Sequence, residues 1–577
     1  MKTRLAVITA LFLGMLSAQV EMNYSYEMKY GDGKQVERTA SDNPVTSDYS
    51  YFENLLDINT YFGDHIYLYT QLEYSNPPVF GYSRTGLDSM LSAFYIEYSH
   101  DRFNVKLGDL YELHGRGLSF YTLQDQNVDY DNSIKGLNIK YLLMNNLEFS
   151  ALIGQGEYGY RSNPAKPTND RYFNNDVILG SVQYENEIIG SFQYLFNKKR
   201  SFFDIEVIKS IFESDTELGE EFLNRPDYLD LYLNFLIGTA SADTTLLQNH
   251  NFNWNIFLGP LDIYLDKSWI NYEKIYGNEV FGSRFYTSIY TEILETGITY
   301  EYKNYHTPYL IKSISNPPIG YRESSSILAS RNAHSINFGN EVGHQIDFNK
   351  NINGALNILG NLSISHRHQK KEMEELTLID FLTLEEDSSI YDYYPFRQVY
   401  MEINGWKLSD RLFYKVGLDH FTEYLNGKNI FVLTIPTQWV WKLANGSSFT
   451  IYFETQEKIV NKLSSIDPPD VDEYISHYLS VSYSHMGRWI VTGFYDYENY
   501  TKKMMRDSDY VLFNELTTVS SSENQWPGLD FSFFFTSATQ ISFFYGSQKG
   551  GLVCANGICA EQPGFEDGFK VTFRSLF

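Results

Sequence analysis

The last nine residues constrain this chain more than any other segment. Phe569, Val571, Phe573, Ser575 and Phe577 fall on one face of an extended chain, and Lys570, Thr572, Arg574 and Leu576 on the other. Successive side chains of a strand point to opposite sides. One side of this strand is therefore oily and the other mostly polar, and the sequence stops on an aromatic residue inside the pattern. A membrane β-barrel turns such an oily ribbon to lipid and the polar side to its lumen, and its closed sheet leaves no backbone group unpaired in hydrocarbon.

The alternation recurs upstream. Leu529, Phe531, Phe533 and Phe535 alternate with Asp530, Ser532 and Thr536, with Phe534 as the exception. Further faces are Leu412-Tyr414-Val416-Leu418, Trp439-Trp441-Leu443, Phe449-Ile451-Phe453 and Ile475-Leu479-Val481-Tyr483. Ser409-Asp410, Met486-Gly487 and Ser537–Thr539 read as tight turns. Asn445-Gly446 reads as a two-residue hairpin turn. In the first half, strand-like runs begin near Met22, Tyr51, Ile66, Met90, Phe103, Ile134, Leu147, Val177 and Ile188. Longer polar connections fall at Asn76–Asp88, Arg161–Asn175, Asp215–Arg225, Asn316–Arg331, Lys370–Tyr394 and Gln548–Gly568. Short turns on one rim and long loops on the other is the asymmetry of outer-membrane barrels.

The expected fold is all-β: one large antiparallel transmembrane barrel of roughly 22 to 26 strands, with its aromatic C-terminal strand ending at Phe577. Composition agrees. The 577 residues include 48 Tyr, 41 Phe and 7 Trp, and Tyr alone outnumbers the 45 Lys and Arg together. These rings favour pleated strands and membrane interfaces. A formal charge of −27 argues against nucleic acid, whose phosphates need a basic face. No blade-length repeat points to a propeller, and no Pro/Gly/Ser-rich linker divides the chain into sandwich domains.

Lys2 and Arg4 precede an apolar run, Leu5–Leu16, followed by Ser17-Ala18-Gln19. This is the layout of a secretory signal peptide cut after Ala18. The run is shorter than the ~20 residues a spanning helix needs. The chain thus divides into a signal at 1–18 and a barrel at 19–577, with long loops on one rim. Strand-like sequence starts soon after the cleavage site, so no plug domain is expected before the barrel.

Three segments carry a family resemblance. They are Gly108-Asp109 through Gly115-Arg116-Gly117-Leu118 to Asp131-Asn132-Ser133-Ile134-Lys135-Gly136; Asn340-Glu341-Val342-Gly343-His344-Gln345; and Gly550-Gly551-Leu552-Val553-Cys554 with Cys559. With the closing Phe-rich strand, they resemble large outer-membrane β-barrel proteins of Gram-negative bacteria that carry no assigned activity. The resemblance implies a barrel in the cell outer membrane and transfers no catalytic or binding residues.

Several constellations invite a chemical reading. Cys554 and Cys559 flank Asn556-Gly557, and export would put them in an oxidising compartment, where a loop disulfide is the natural outcome. Asp109, Arg116, Asp125, Asp129, Asp131 and Lys135 form either a charge cluster lining a solute constriction or a lumenal salt-bridge network without a ligand. His334, His344, His366 and His368 offer only pairs, whereas a metal needs three or four converging ligands; solvated histidines are the plainer reading. Glu341 and His344 fall on opposite strand faces. The acidic run Lys371–Asp387 suits a surface loop or a docking site for a partner or divalent cations. No nucleophile motif such as G-x-S-x-G appears, so no enzyme, cofactor or metal is expected.

The partners implied are outer-membrane lipid and the barrel-insertion machinery, engaged through Phe569, Val571, Phe573 and Phe577. Protein partners are left open. Two functions remain: a pore or transport channel for small solutes, and a structural or accessory barrel of a secretion or surface-assembly complex. A lumen this wide would be a hole unless loops fold inward.

Overall fold

A computed structural model of the chain describes residues 20–37, 45–75, 90–126, 130–157, 173–203, 244–275, 278–307, 314–324, 326–332, 334, 336–352, 354–368, 393–425, 427–462, 470–505, 516–555, 558–562 and 564–577. The signal segment, Asp129 and the Lys371–Asp387 run lie outside them. Twenty-four antiparallel strands form one sheet. Each pairs with its neighbour in sequence, and the first, Val20–Glu37, pairs with the last, Gly564–Leu576. That last pairing makes the sheet a closed barrel. The amide of Tyr24 donates to the carbonyl of Phe577 and that of Phe577 to Tyr24, each at 2.9 Å. The two rings stack at 4.8 Å.

The terminal ribbon faces as its alternation requires. Phe569, Phe573 and Phe577 meet Tyr30, Tyr26 and Tyr24 of the first strand. On the other face, Arg574 pairs with Glu27, which also holds Lys29 at 2.7 Å. The same inversion marks the strand Phe396–Lys407. Val399, Met401 and Ile403 are exposed, Met401 by 53%, while Gln398, Tyr400 and Glu402 are buried. A water-soluble sheet does the reverse. With apolar side chains outside and amides and carboxylates inside, the solvent outside is hydrocarbon. No helix among the described residues is long and apolar enough to cross a membrane.

Both described ends of the chain sit on the rim of tight turns. Asp101-Arg102, Asn145-Asn146, Gly259-Pro260 and Leu294-Glu295 each reverse the chain in two residues. Leu294 and Glu295 both adopt left-handed φ, 52° and 60°. That is the mirror-image turn that matches strand twist, built here without the Asn-Gly signal that usually marks it. Asn445-Gly446, which carries that signal, sits in a longer connection between Lys442 and Ser448. The opposite rim carries longer segments. Two departures from expectation fall there. Asp109 and Lys135 belong to wall strands, Phe103–Leu110 and Ile134–Met144, not to the loop between them. Gln548–Gly568 is no plain loop but contains a hairpin, Gly551–Ala555 with Ile558–Gln562.

Glycines allow aromatic rings to lie flat on neighbouring strands. A Cβ at Gly360 would stand 2.1 Å from the Phe348 ring, so only a hydrogen there leaves room. Replacing Met401 by Arg should cost about 2–4 kcal/mol of barrel stability if this face meets acyl chains near the bilayer midplane. Guanidinium unfolding in phospholipid vesicles measures it. An unchanged midpoint contradicts the lipid-facing assignment.

Candidate functional site: the filled lumen

Twenty-four strands enclose a lumen too wide for wall side chains to fill. Two segments fold into it. The first, residues 111–133, leaves the wall after Leu110 and returns at Ile134. Its Phe120 packs with Ile314 against the inward-facing Leu152, Val177, Leu179 and Leu195, and its Leu118 against Tyr264, Tyr286 and Tyr305. Polar contacts lock it in place. Asn197 donates to the Ser119 carbonyl at 3.1 Å, Arg284 to that of Leu118 at 3.1 Å, and Gln124 to Gln71 at 2.7 Å.

The second segment, residues 314–339, covers another stretch of wall. The amides of Ile327 and Leu328 donate to the Glu454 carboxylate at 2.8 and 2.6 Å. They open a single helical turn, Ile327–Ser330. Arg331 pairs with Asp496 at 2.6 Å, and Asn332 donates to Gln456 at 3.0 Å. Tyr305 donates to the Pro318 carbonyl at 2.7 Å, and Lys303 reaches the Ile319 carbonyl and Glu341. The two segments also meet each other. Tyr121 N–H donates to Ile314 O and Asn316 N–H to Gly117 O, both at 3.1 Å. Together they bridge strands from Ile66–Ser75 round to Trp489–Met505. From the hairpin side, Lys549 pairs with Glu498.

The residues singled out from sequence are dispersed across this filling. Arg116 stacks its guanidinium 4.2 Å above the Tyr264 ring and donates to the Tyr286 hydroxyl at 3.0 Å. Asp109 is buried and accepts the Phe94 amide at 2.7 Å. Asp131 closes a local turn with the Ser133 amide at 2.8 Å. Lys135 is exposed although it sits opposite Asp109 in register. Asp125 is half-buried and lies across from Tyr130. Arg116 thus works with wall tyrosines and not with these carboxylates. Cys554 and Cys559 lie directly opposite each other in their hairpin; their side chains fall outside the described residues.

The histidines separate too. His344 packs on Tyr300 and Tyr302, and His368 bonds Asn340 at 2.6 Å. His366 meets Tyr393. His334 joins an electrostatic cluster. Its Nδ1 lies 2.7 Å from Glu423, its Nε2 3.3 Å from Glu341, and its ring stacks 4.0 Å from Phe396. Among the described residues, no group of three or more His, Cys, Asp or Glu is placed to hold a metal.

Two infolded histidines shift in opposite directions. Burial draws His334 down, but Glu341 and Glu423 outweigh it, and the net shift is upward. Burial pushes His114 down to about 4, so it stays neutral. The inner apolar clusters were missed by the strict period-two reading, yet they leave a signal. Val177-Ile178-Leu179 and Ala151-Leu152-Ile153 are continuous apolar runs, the mark of strands covered on both faces.

A protein family described as "Family of unknown function (DUF6029)" matches residues 2–167. No curated protein matches the chain. Among solved structures, the chain is similar to OpdO of Pseudomonas aeruginosa at 10% identity, covering 71% of this chain and 93% of that one, with a TM-score of 0.37. It is similar to the copper transporter OprC at 7% identity over 97% and 81%, TM-score 0.40. A ferric enterobactin receptor mutant from Pseudomonas aeruginosa matches at 8% identity over 97% and 81%, TM-score 0.41.

Two outcomes follow from the anchors. Glu454→Ala leaves the buried amides of Ile327 and Leu328 without an acceptor, which should destabilise segment 314–339 by about 1–3 kcal/mol. Hydrogen exchange of those amides reads it. His334, with a raised folded-state pKa, contributes stability that is fully present below about pH 6.5 and lost as pH rises through the folded value. Exchange protection around residue 334, corrected for intrinsic rate, should therefore fall from pH 5 to pH 8. His334→Gln should flatten that profile, and protection that increases with pH would contradict it.

Proposed function

We propose that this protein is a transport barrel of the cell outer membrane, a pore for small solutes whose passage is narrowed by segments 111–133 and 314–339. On this reading residues 1–18 direct export, and the strand ending at Phe577 presents its aromatic face to the insertion machinery. Cys554 and Cys559 staple a loop hairpin on the long-loop rim, since cross-strand partners have the Cα spacing a disulfide requires. The observation that carries the reading is the polar inner wall. Asn249, Asn251 and Asn253 point inward from one strand, and Asn361, Ser363, Glu402, Asp419 and Thr434 from others. An inner surface rich in amides and carboxylates is what a path for small polar solutes needs.

One observation favours the second reading, a sealed accessory barrel of a secretion or surface-assembly complex: the two segments bond to each other and to opposite walls. Planar-bilayer recording separates the two. The pore reading expects a small steady conductance from the intact protein. It expects a several-fold larger one when residues 315–338 are replaced by a short Gly-Ser linker. Silence from both proteins, with the barrel still folded by heat-modified gel migration, leaves the accessory role.

A further inference from the structure

One cavity stands apart in the lumen, between segment 314–339 and the wall strands Phe396–Lys407 and Leu412–Leu425. It is small, opens on one side to the lumen, and is lined by Tyr321, Arg322, Glu323, Ser324, Gln398, Asp419 and their neighbours. Three buried polar atoms here have no hydrogen-bond partner: the Tyr321 hydroxyl, the Arg322 Nε and the Gln398 Oε1. Tyr321 is 6% exposed and Gln398 5%. Buried polar groups are almost always paired, and an orphan costs about 1–3 kcal/mol. Three orphans on one cavity point to something that fills it.

Their chemistry is asymmetric. Tyr321 O–H and Arg322 Nε–H are donors, and Arg322 is a permanent cation held 3.9 Å over the Tyr400 ring. Gln398 Oε1 is an acceptor. It stands beside the buried carboxylate of Asp419, to which the Gln398 amide nitrogen donates at 3.1 Å. Donors with a permanent cation and an acceptor with a carboxylate therefore line the same cavity. The Phe396 and Phe421 rings form its apolar floor.

We propose that this cavity is a binding site for a small zwitterion of α-amino-acid type, its carboxylate on Arg322 and Tyr321 and its ammonium on Gln398 and Asp419. A free carboxylate would meet Asp419 and a free amine would meet Arg322, so either half alone fits worse than the joined pair. The site deepens the transport reading, because it would be a station on the solute path, and it rests on that reading for its purpose but not for its existence. His334 forms part of the lining but is already held by Glu341 and Glu423, so it positions the floor and does not bind.

Isothermal titration of the purified full-length barrel in detergent tests the proposal with glycine, acetate and methylammonium as probes. Saturable glycine binding is expected, about tenfold tighter than either half ion. Tyr321→Phe, which removes one hydroxyl and keeps the ring, should weaken glycine by about three- to ten-fold. Arg322→Gln should weaken it further. If Arg322→Gln fails to fold by heat-modified migration, Tyr321→Phe still decides. No saturable glycine heat, or an affinity unchanged in Tyr321→Phe, overturns the site and leaves the three atoms to water only. Glycine binding without conductance overturns the pore and keeps the site; conductance without glycine binding does the opposite.

Discussion

A backbone amide in hydrocarbon has no water to bond, and everything else in this structure depends on that constraint. An open sheet would leave two rows of unpaired groups in the membrane, each costing several kcal/mol. The pairing of Val20–Glu37 with Gly564–Leu576 removes both rows at once. Its last step is the reciprocal pair of Tyr24 and Phe577, where chain closure and aromatic stacking coincide. Closure also makes the lumen. Once the ring is complete at 24 strands, the interior is a volume that the wall cannot fill.

That volume is filled by two different kinds of physics. Beneath segment 111–133 the wall supplies apolar side chains, and Phe120 and Leu118 complete small hydrophobic cores. Beneath segment 314–339 the wall supplies carboxylates: Glu341, Glu423, Glu454 and Asp496 each hold a cation, a histidine or a backbone amide of the insert. Removing one partner of such a buried pair strands the other, so these contacts fix position more than they add net stability. Segment 314–339 brings Arg322, Arg331 and His334 to this acidic wall, in a chain of formal charge −27.

Much of the wall was legible from local pattern. Phe569, Phe573 and Phe577 share a face as their spacing requires, Asp530 and Ser532 share the face opposite Leu529 and Phe531, and strands begin at Ile66, Phe103, Ile134 and Leu147 as read. That loops would fold into the lumen was expected, but the contacts they make there were not legible. Arg116 reads as a partner for nearby carboxylates, yet it finds Tyr264 and Tyr286, the latter 170 residues further along the chain. His334 reads as one of several loop histidines, and only folding sets it between Glu341 and Glu423.

What the sequence determined by itself is the solvent and the secondary structure. Period-two alternation of rings with Ser, Thr, Asn and acids marks strands with one apolar and one polar face, and its recurrence along the chain without linkers fits a barrel with lipid outside. Strand pairing is largely local as well, because each strand bonds a neighbour in sequence and the closing pair of first and last strands is the exception. What only the tertiary structure decided is the content of the lumen. Which loop folds inward, and which wall residue it meets, depends in good part on side chains far apart in sequence, such as Arg331 and Asp496. Their proximity exists only after the ring has closed, so no spacing along the chain records it.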